Sequence, residues 1–302
     1  MPTQLSRRVF GKLIGAGAAY AVLQPELLPR KRALTSVAPH SEASTIVRLS
    51  SNENPYGPSP AALKAMTDAF SLAWRYPDEH EDYLVQQLAK LNGVGSDHIL
   101  LGDGSGDLLR LAAMAFTNGS RKLVFADPTF EAIGAHARMA QADVVKIRLT
   151  SDYSHDLSAM LAASGDAGLI YICNPNNPTA SITHKDTLST FLAKISERTI
   201  VLIDEAYHHY VESPDYETTI PFVKRYANLV VARTFSKIYG MAGLRCGYCV
   251  AQPALIQKMR SYQSWDSLNI MALVAASAGL EDVEHVESGR RLNREVKHFL
   301  YT

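Results

Sequence analysis

The sequence has the size and the charge balance of a large globular protein. It contains 302 residues, of which 47% are hydrophobic and 20% charged, and its 30 basic and 30 acidic side chains give a formal net charge of zero. A chain of this length can bury a sizeable core in one large domain, or in one large and one small domain. Because it has neither a net positive charge nor a basic stripe interleaved with aromatic residues, nucleic-acid binding is not expected.

The first 43 residues are interpreted as an export signal followed by a linker. Arg7 and Arg8 precede an apolar run over residues 13–23, which is too short to span a bilayer. Adjacent arginines before such a run resemble a twin-arginine signal; a basic start to an ordinary first helix is the alternative. We therefore expect export to the periplasm and no stable membrane insertion after the signal is cleaved.

The next predicted elements are a loop, two helices and a strand. Residues 50–60 are rich in Pro, Gly and Asn and lack periodicity, which indicates an extended loop. A helix is predicted over residues 60–73, with proline in its first turn. Helical spacing resumes over residues 83–91, and a short strand is predicted over residues 98–101.

A glycine-rich loop, GDGSGD, follows this strand and precedes an apolar helix over residues 108–116. Strand, glycine-rich loop and helix together direct backbone N–H groups and a helix dipole at a phosphate. A calcium loop counted from Asp103 lacks Gly at its sixth position and Glu at its twelfth. A dinucleotide fingerprint would need Gly where Asp107 stands. A phosphate cradle and a purely structural turn both remain open.

Strand and helix patterns then alternate along the chain. Strands are predicted over residues 122–126, 144–149, 168–173, 199–203 and 229–232, and helices over residues 131–140 and 185–195. Nearly continuous apolar strands joined by helices predict an α/β fold, in which a parallel or mixed sheet is covered on both faces.

Polar side chains follow three of these predicted strands. Asn177, Asp204 and Lys237 each lie just beyond a strand end, which is where ligands bind in open α/β sheets. A lysine amine can form a Schiff base with an aldehyde cofactor, and a carboxylate can keep a pyridine ring protonated. The hydroxyl groups before the lysine, Ser236 among them, and Arg245 after it would suit a phosphate.

Two further side chains, together with Asn177, suit such a ring. A phenol and an amide near the 3-oxygen of the ring would tune the basicity of the Schiff base, and Tyr207 and Asn177 can serve. Phe130, which follows the strand over residues 122–126, could stack on the face of the ring.

No metal site is predicted. Asp204 and Glu205 would suit a Mg²⁺ site of the Walker-B type, but the sequence has no matching Gly-x-x-x-x-Gly-Lys-Ser/Thr motif. Cys246 and Cys249 form a Cys-x-x-Cys pair on a predicted strand, which would place the thiols on opposite faces. Since no second pair supplies the remaining ligands of a zinc site, buried structural thiols are expected.

Four motifs occur in order along the chain. They are Asn-Glu-Asn-Pro-Tyr-Gly-Pro from residue 52, Asn-Pro-Asn-Asn-Pro-Thr from residue 174, Asp-Glu-Ala-Tyr from residue 204, and Thr-Phe-Ser-Lys with Ala-Gly-Leu-Arg-Cys-Gly-Tyr within residues 234–248. Together, over residues 49–250, they resemble the histidinol-phosphate aminotransferase branch of the fold-type-I enzymes that use pyridoxal 5′-phosphate (PLP). The resemblance implies transfer of an amino group between an amino acid, or a histidinol-phosphate-like amine, and a 2-oxo acid.

The resemblance also implies a role for each candidate residue. Lys237 would be the Schiff-base lysine and proton shuttle, Asp204 would pair with the pyridinium nitrogen, and Tyr207 and Asn177 would contact the 3-oxygen, while Phe130 would stack on the ring. The phosphate would be bound by Ser105, Gly106, Ser236 and Arg245. In the expected homodimer, Tyr76 would reach the phosphate of the neighbouring subunit's cofactor, and Tyr56 and Asn54 would face the substrate.

The same resemblance implies a division into domains. Residues 44–75 would form an N-terminal arm and a helix of the small domain, residues 76–252 the large PLP-binding domain, and residues 253–302 the start of the C-terminal small domain. Family members continue beyond this point, where an arginine for the substrate carboxylate normally follows, so the small domain is expected to be incomplete. Phe130 stands where the family usually has tyrosine. Decarboxylation, racemisation or oxidation with the same cofactor, and an inactive truncated domain, are the alternatives.

Overall fold

The computed structural model describes residues 49–302, so the expected signal and linker lie outside the described residues. The described part contains seven strands: β1 Ile99–Gly102, β2 Lys122–Asp127, β3 Val144–Arg148, β4 Ala167–Cys173, β5 Ile200–Asp204, β6 Leu229–Thr234 and β7 Gly247–Ala251. Its α-helices are α1 Pro60–Ala69, α2 Asp78–Asn92, α3 Ser105–Phe116, α4 Ala132–Met139, α5 Leu157–Ala162, α6 Lys185–Lys194, α7 Pro253–Arg260, α8 Ile270–Glu281 and α9 Val283–Tyr301.

The strands form one sheet in the order β1-β7-β6-β5-β4-β2-β3. The pairs β6–β5, β5–β4, β4–β2 and β2–β3 are parallel, whereas β7 runs antiparallel to both of its neighbours, β1 and β6. The α/β fold with a mostly parallel sheet is therefore confirmed.

Helices cover the sheet on both faces, and the strands β1, β4, β5, β6 and β7 are buried along their whole length. Successive residues of a strand point to opposite faces, so neighbouring side chains belong to different core clusters. Cys246 packs in one cluster and Cys249 in the other. The prediction that these two thiols are buried on opposite faces is confirmed, although β7 begins at Gly247, one residue after Cys246. Both thiols are free.

Four helices, α5 and the three that follow β7, were not predicted from the sequence, and others were placed only approximately. Helix α5 has six residues, of which Leu157 and Met160 are buried, and this is too short for a clear helical period. Helix α2 begins at Asp78, five residues before the predicted start, and its acidic first turn favours a helix N-terminus. The helix predicted over residues 60–73 is α1 followed by a 3-10 turn at Phe70–Leu72.

Three helices follow the last strand, and α1 and α2 both pack against the second of them, α8. Residues 51–302 form one compact unit, so the domain boundaries at residues 75 and 252 stay a prediction. Within residues 49–302, no helix is both long and apolar enough to cross a membrane.

Candidate active site

The topology of the sheet brings most of the candidate residues to one edge. Strands β1, β2, β4, β5 and β6 point the same way, so the loops at their carboxyl ends share this edge. Strand β7 runs the opposite way, and its amino end, just after Arg245, therefore lies at the same edge. The residues that follow these strands are Ser105 and Gly106, Phe130, Asn177, Tyr207, and Ser236 and Lys237.

Asp204 is the last residue of β5 and is buried, with 3% of its surface exposed. Its Oδ2 atom accepts a hydrogen bond of 2.9 Å from the hydroxyl of Tyr171, and its Oδ1 atom accepts one of 3.1 Å from the backbone N–H of Ala206. Burial raises the pKa of Asp204 to about 6, although these hydrogen bonds and the nearby Lys237 lower it in part.

The next residue, Glu205, takes part in a separate buried network. Its Oε2 atom accepts hydrogen bonds from Nε and Nη2 of Arg233 at 3.1 and 2.9 Å, and from the Thr218 hydroxyl at 2.7 Å. The backbone N–H of Thr219 donates to Oε1 at 2.6 Å. Glu205 is thus fully engaged away from Asp204, and within residues 49–302 no group of three His, Cys, Asp or Glu side chains could hold a metal ion.

Lys237 lies in the loop after β6 and is half-buried. Its Nζ atom donates hydrogen bonds of 3.1 Å to the carbonyl oxygens of both Ser51 and Asn52, and it lies 5.5 Å from the ring centre of Tyr207. Asn52 also donates a hydrogen bond of 3.1 Å from Nδ2 to the Tyr207 hydroxyl. Burial lowers the pKa of Lys237, which favours the neutral amine that nucleophilic chemistry requires.

The segment that follows Asn52 lies against the turn after Lys237. Nδ2 of Asn54 donates to the carbonyl oxygen of Ile238 at 2.9 Å, and Oδ1 of Asn54 accepts from the backbone N–H of Tyr56 at 3.1 Å. Gly240 has a φ of 69°, and a Cβ atom there would lie 2.0 Å from the carbonyl oxygen of Gly57. This close approach requires glycine. It fixes residues 52–57, called the arm from here on, against the candidate site.

The loop between β1 and α3 is shaped around Arg245. Gly104 has a φ of 76°, and a Cβ atom on it would lie 2.0 Å from Nη2 of Arg245. Nη2 donates to the carbonyl oxygen of Asp103 at 3.2 Å, and Nη1 donates to that of Ala242 at 2.9 Å. The guanidinium therefore lies beside the N-terminus of α3, which begins at Ser105. Both features favour an anion at this position.

The remaining predicted residues differ in exposure. Asn177 is half-buried and Ser236 is buried, whereas Phe130 exposes 39% of its surface, Tyr56 60% and Tyr76 74%. Among the described residues, no hydrogen bond joins Tyr76 to the other site residues. Its role across a dimer interface therefore stays a prediction.

The roles of two residues near this edge, Asn176 and Tyr171, were not predicted from the sequence. Asn176 holds the loop after β4, because its Oδ1 atom accepts from the Thr129 hydroxyl at 2.6 Å and its Nδ2 donates to the carbonyl oxygen of Pro128 at 3.1 Å. Tyr171, the hydrogen-bond donor to Asp204, was also missed. A tyrosine inside an otherwise apolar buried strand needs a partner for its hydroxyl, and this was the available signal.

The chain is similar to known aminotransferases. The sequence model of the family described as "Aminotransferase class I and II" matches residues 44–301. A histidinol-phosphate aminotransferase of Moorella thermoacetica is 39% identical over 259 residues, and histidinol-phosphate aminotransferase 1 of Cupriavidus pinatubonensis is 42% identical over 255 residues. These alignments cover 85% and 83% of this chain and 67% of each relative.

A solved structure shares the fold. Histidinol-phosphate aminotransferase from Sinorhizobium meliloti, in complex with pyridoxal 5′-phosphate, superimposes with a TM-score of 0.76 at 28% identity. The superposition covers 80% of this chain and 65% of that chain.

Proposed function

Because the chain belongs to the class I and II aminotransferase family, we propose that it binds PLP through Lys237 and Asp204 and transfers amino groups. When bound, PLP supplies a reactive aldehyde and a pyridine ring that withdraws electrons. The observation that carries the proposal is the placement of the buried Asp204 carboxylate and the Lys237 amine at the ends of two adjacent parallel strands.

The side chains at this edge fit the three chemical demands of PLP. Asp204 would face the ring nitrogen, since a buried carboxylate stabilises a protonated pyridine. Lys237 would hold the aldehyde carbon. Arg245, together with the N-terminus of α3, would hold the phosphate, and the loop has the required shape because Gly104 leaves room for the guanidinium.

The protein's own groups would then divide the chemistry. Asp204, with a pKa of about 6, is mostly ionised at neutral pH and would supply the negative charge that stabilises a protonated ring nitrogen. Lys237 has a lowered pKa, so its Nζ atom can take up and release a proton near the substrate. Tyr207 and Asn177 would bind the 3-oxygen, Phe130 would pack on the ring, and Ser105, Gly106 and Ser236 would add donors to the phosphate.

We propose an amino acid or a histidinol-phosphate-like amine as the donor and a 2-oxo acid as the acceptor, with Tyr56 and Asn54 beside the substrate. The amine is suggested by the names of the relatives that are 39% and 42% identical. A panel of amino donors, histidinol phosphate among them, should be incubated with PLP-loaded protein and 2-oxoglutarate, and glutamate should be measured. Glutamate formation is expected. Release of CO₂, racemised donor or hydrogen peroxide without glutamate would contradict transamination and favour other chemistry.

A homodimer is proposed in which Tyr76 contributes to the neighbouring site. The support is its exposure of 74% in the single chain and its assignment by family resemblance. Light scattering of the purified protein measures the mass directly, and a monomer that retains full activity would contradict the proposal. Tyr76→Phe should weaken PLP binding without changing the mass.

Export through the arginine pair is a further proposal, supported by the sequence of residues 1–43 alone. Replacing both Arg7 and Arg8 with lysine should leave the protein in the cytoplasmic fraction, whereas the unchanged protein should fractionate with the periplasm. If the double variant and the unchanged protein divide equally between the cytoplasmic and periplasmic fractions, the export proposal is contradicted.

A further inference from the structure

We propose that Tyr171 is a positioning residue that fixes the orientation of the Asp204 carboxylate and keeps it ionised. The inference rests on the proposed function, because that function assigns Asp204 to the ring nitrogen of the cofactor. Tyr171 lies outside the four motifs and within the buried strand β4, and its hydroxyl contacts Asp204, so it would act through Asp204.

The geometry comes from the register of two parallel strands. Tyr171 on β4 pairs with Leu202 on β5, and Cys173 pairs with Asp204. Tyr171 and Leu202 belong to the same core cluster, and Asp204 follows Leu202 by two residues and so points to the same face. The phenol consequently reaches toward the end of β5, where its hydroxyl donates to Oδ2 of Asp204 at 2.9 Å.

The hydrogen bonds of Asp204 leave room for a ligand. Tyr171 occupies one acceptor position on Oδ2, and the backbone N–H of Ala206 occupies one on Oδ1. An ionised carboxylate offers about four such positions. Two donors on different oxygens hold the plane of the carboxylate, and the positions that remain can accept an N–H group of a bound ring.

The hydrogen bond also opposes the effect of burial. Asp204 is 3% exposed and Tyr171 is fully buried, so the carboxylate has little water to stabilise its charge. A hydroxyl that donates to a carboxylate favours the ionised form. Burial and the charge of Asp204 hold the pKa of Tyr171 well above its usual value, so the hydroxyl keeps its proton. The other titratable groups that act on Asp204 or are acted on by it are Cys173, Glu205, Tyr207, Tyr216 and Lys237.

Tyr171→Phe removes the hydroxyl and little else, and Tyr226→Phe is a matched control. The Tyr226 hydroxyl is also buried, but it has no hydrogen-bond partner among the residues that the structure describes. The first measurement is the pH dependence of the thermal unfolding midpoint of the cofactor-free protein. Because the folded-state pKa of Asp204 lies above the value of about 3.9 in unfolded chains, stability should fall as the pH rises between these two values.

In Tyr171→Phe the pKa of Asp204 should rise by about 1 or more, so the fall in stability should continue to a correspondingly higher pH. Tyr226→Phe should keep the range of the unchanged protein. In an Asp204→Asn background, Tyr171→Phe should alter stability equally at every pH. An unchanged pH range in Tyr171→Phe, or a shift that persists without Asp204, would overturn the proposal.

The second measurement uses the PLP-loaded protein. Tyr171→Phe should lower kcat about tenfold and change KM by less than about twofold, since the residue does not touch the substrate; Tyr226→Phe should change neither. Equal kcat values for Tyr171→Phe and the unchanged protein would contradict the positioning role. If the unchanged protein transfers no amino group at all, the proposed function fails, while the pH series on the cofactor-free protein still decides the role of Tyr171.

Discussion

The Nζ atom of Lys237 lies 3.1 Å from the backbone carbonyl oxygen of Asn52, and the side chain of Asn52 donates a hydrogen bond of the same length to the hydroxyl of Tyr207. One arm residue therefore contacts side chains from the loops after both β5 and β6. The arm lines the candidate site, so substitutions in the arm should change the affinity for PLP.

Asn52→Gly should weaken PLP binding about fivefold, because it removes one hydrogen bond worth about 1 kcal/mol from Tyr207. Glycine is chosen because Asn52 has a φ of 51°, which glycine adopts without strain. Titration of the cofactor-free protein with PLP measures the effect. In a Tyr207→Phe background the same substitution should have no further effect; an undiminished loss there would show that Asn52 does not act through Tyr207.

Arg233→Ala should destabilise the protein by about 3–5 kcal/mol, because it leaves the buried Glu205 charge without its partner. Both side chains of this ion pair are shielded, at 11% and 1% exposure. Urea unfolding measures the free energy of unfolding. Lys64→Ala is the matched control, since the Lys64–Asp68 pair is exposed and is expected to contribute less than about 1 kcal/mol. Similar losses in the free energy of unfolding for Arg233→Ala and Lys64→Ala would show that the Glu205 network stabilises the fold no more than an exposed ion pair does.

Gly104→Ala should weaken PLP binding and destabilise the fold by about 1–3 kcal/mol. The new Cβ atom would collide with Arg245, and the φ of 76° is unfavourable for alanine. Gly243→Ala serves as a control, because a Cβ atom there meets nothing within 4 Å and its φ lies outside the left-handed range. PLP titration and urea unfolding of both variants give the comparison. Normal PLP affinity in Gly104→Ala would argue against Arg245 as a phosphate ligand.

Asp204→Asn should stabilise the cofactor-free protein at neutral pH by roughly 1–3 kcal/mol while abolishing amino transfer. The pKa of Asp204 is raised to about 6 by burial, so the folded state loses stability as the pH rises from about 4 to about 6 and the carboxyl group ionises. The amide carries no charge and should not show this loss. Unfolding by urea at about pH 5 and about pH 8 checks the sign; equal gains at both values would contradict a raised pKa.

The fold and the polar residues at the strand ends could be predicted because both follow from local pattern, whereas Asn54, Tyr56 and Tyr76 were assigned by family resemblance. Apolar strands followed by polar residues indicated Asn177, Asp204 and Lys237 at strand ends, and the parallel order of the strands brings those ends to one edge. The odd spacing of Cys246 and Cys249 on a strand gave their opposite faces. Helix α5 was not predicted because its six residues make less than two helical turns.

Contacts between distant segments could not be predicted. The hydrogen bond from Tyr171 to Asp204 depends on the register of β4 against β5, and the contact of Asn52 with Lys237 depends on the path of the arm across the sheet edge. Neither the register of two strands nor the path of the arm produces a periodic pattern in the sequence. The network of Glu205 with Arg233 was missed for the same reason, since its members come from β6 and two separate loops.

The site at which PLP is covalently attached tests the proposed function most directly. PLP-loaded protein is reduced with sodium borohydride and digested, and the peptides are mapped by mass spectrometry. We predict a pyridoxyl group on Lys237, its disappearance in Lys237→Ala, and its retention in Lys64→Ala. A pyridoxyl group on a different lysine of the unchanged protein, or undiminished labelling in Lys237→Ala, would contradict this prediction.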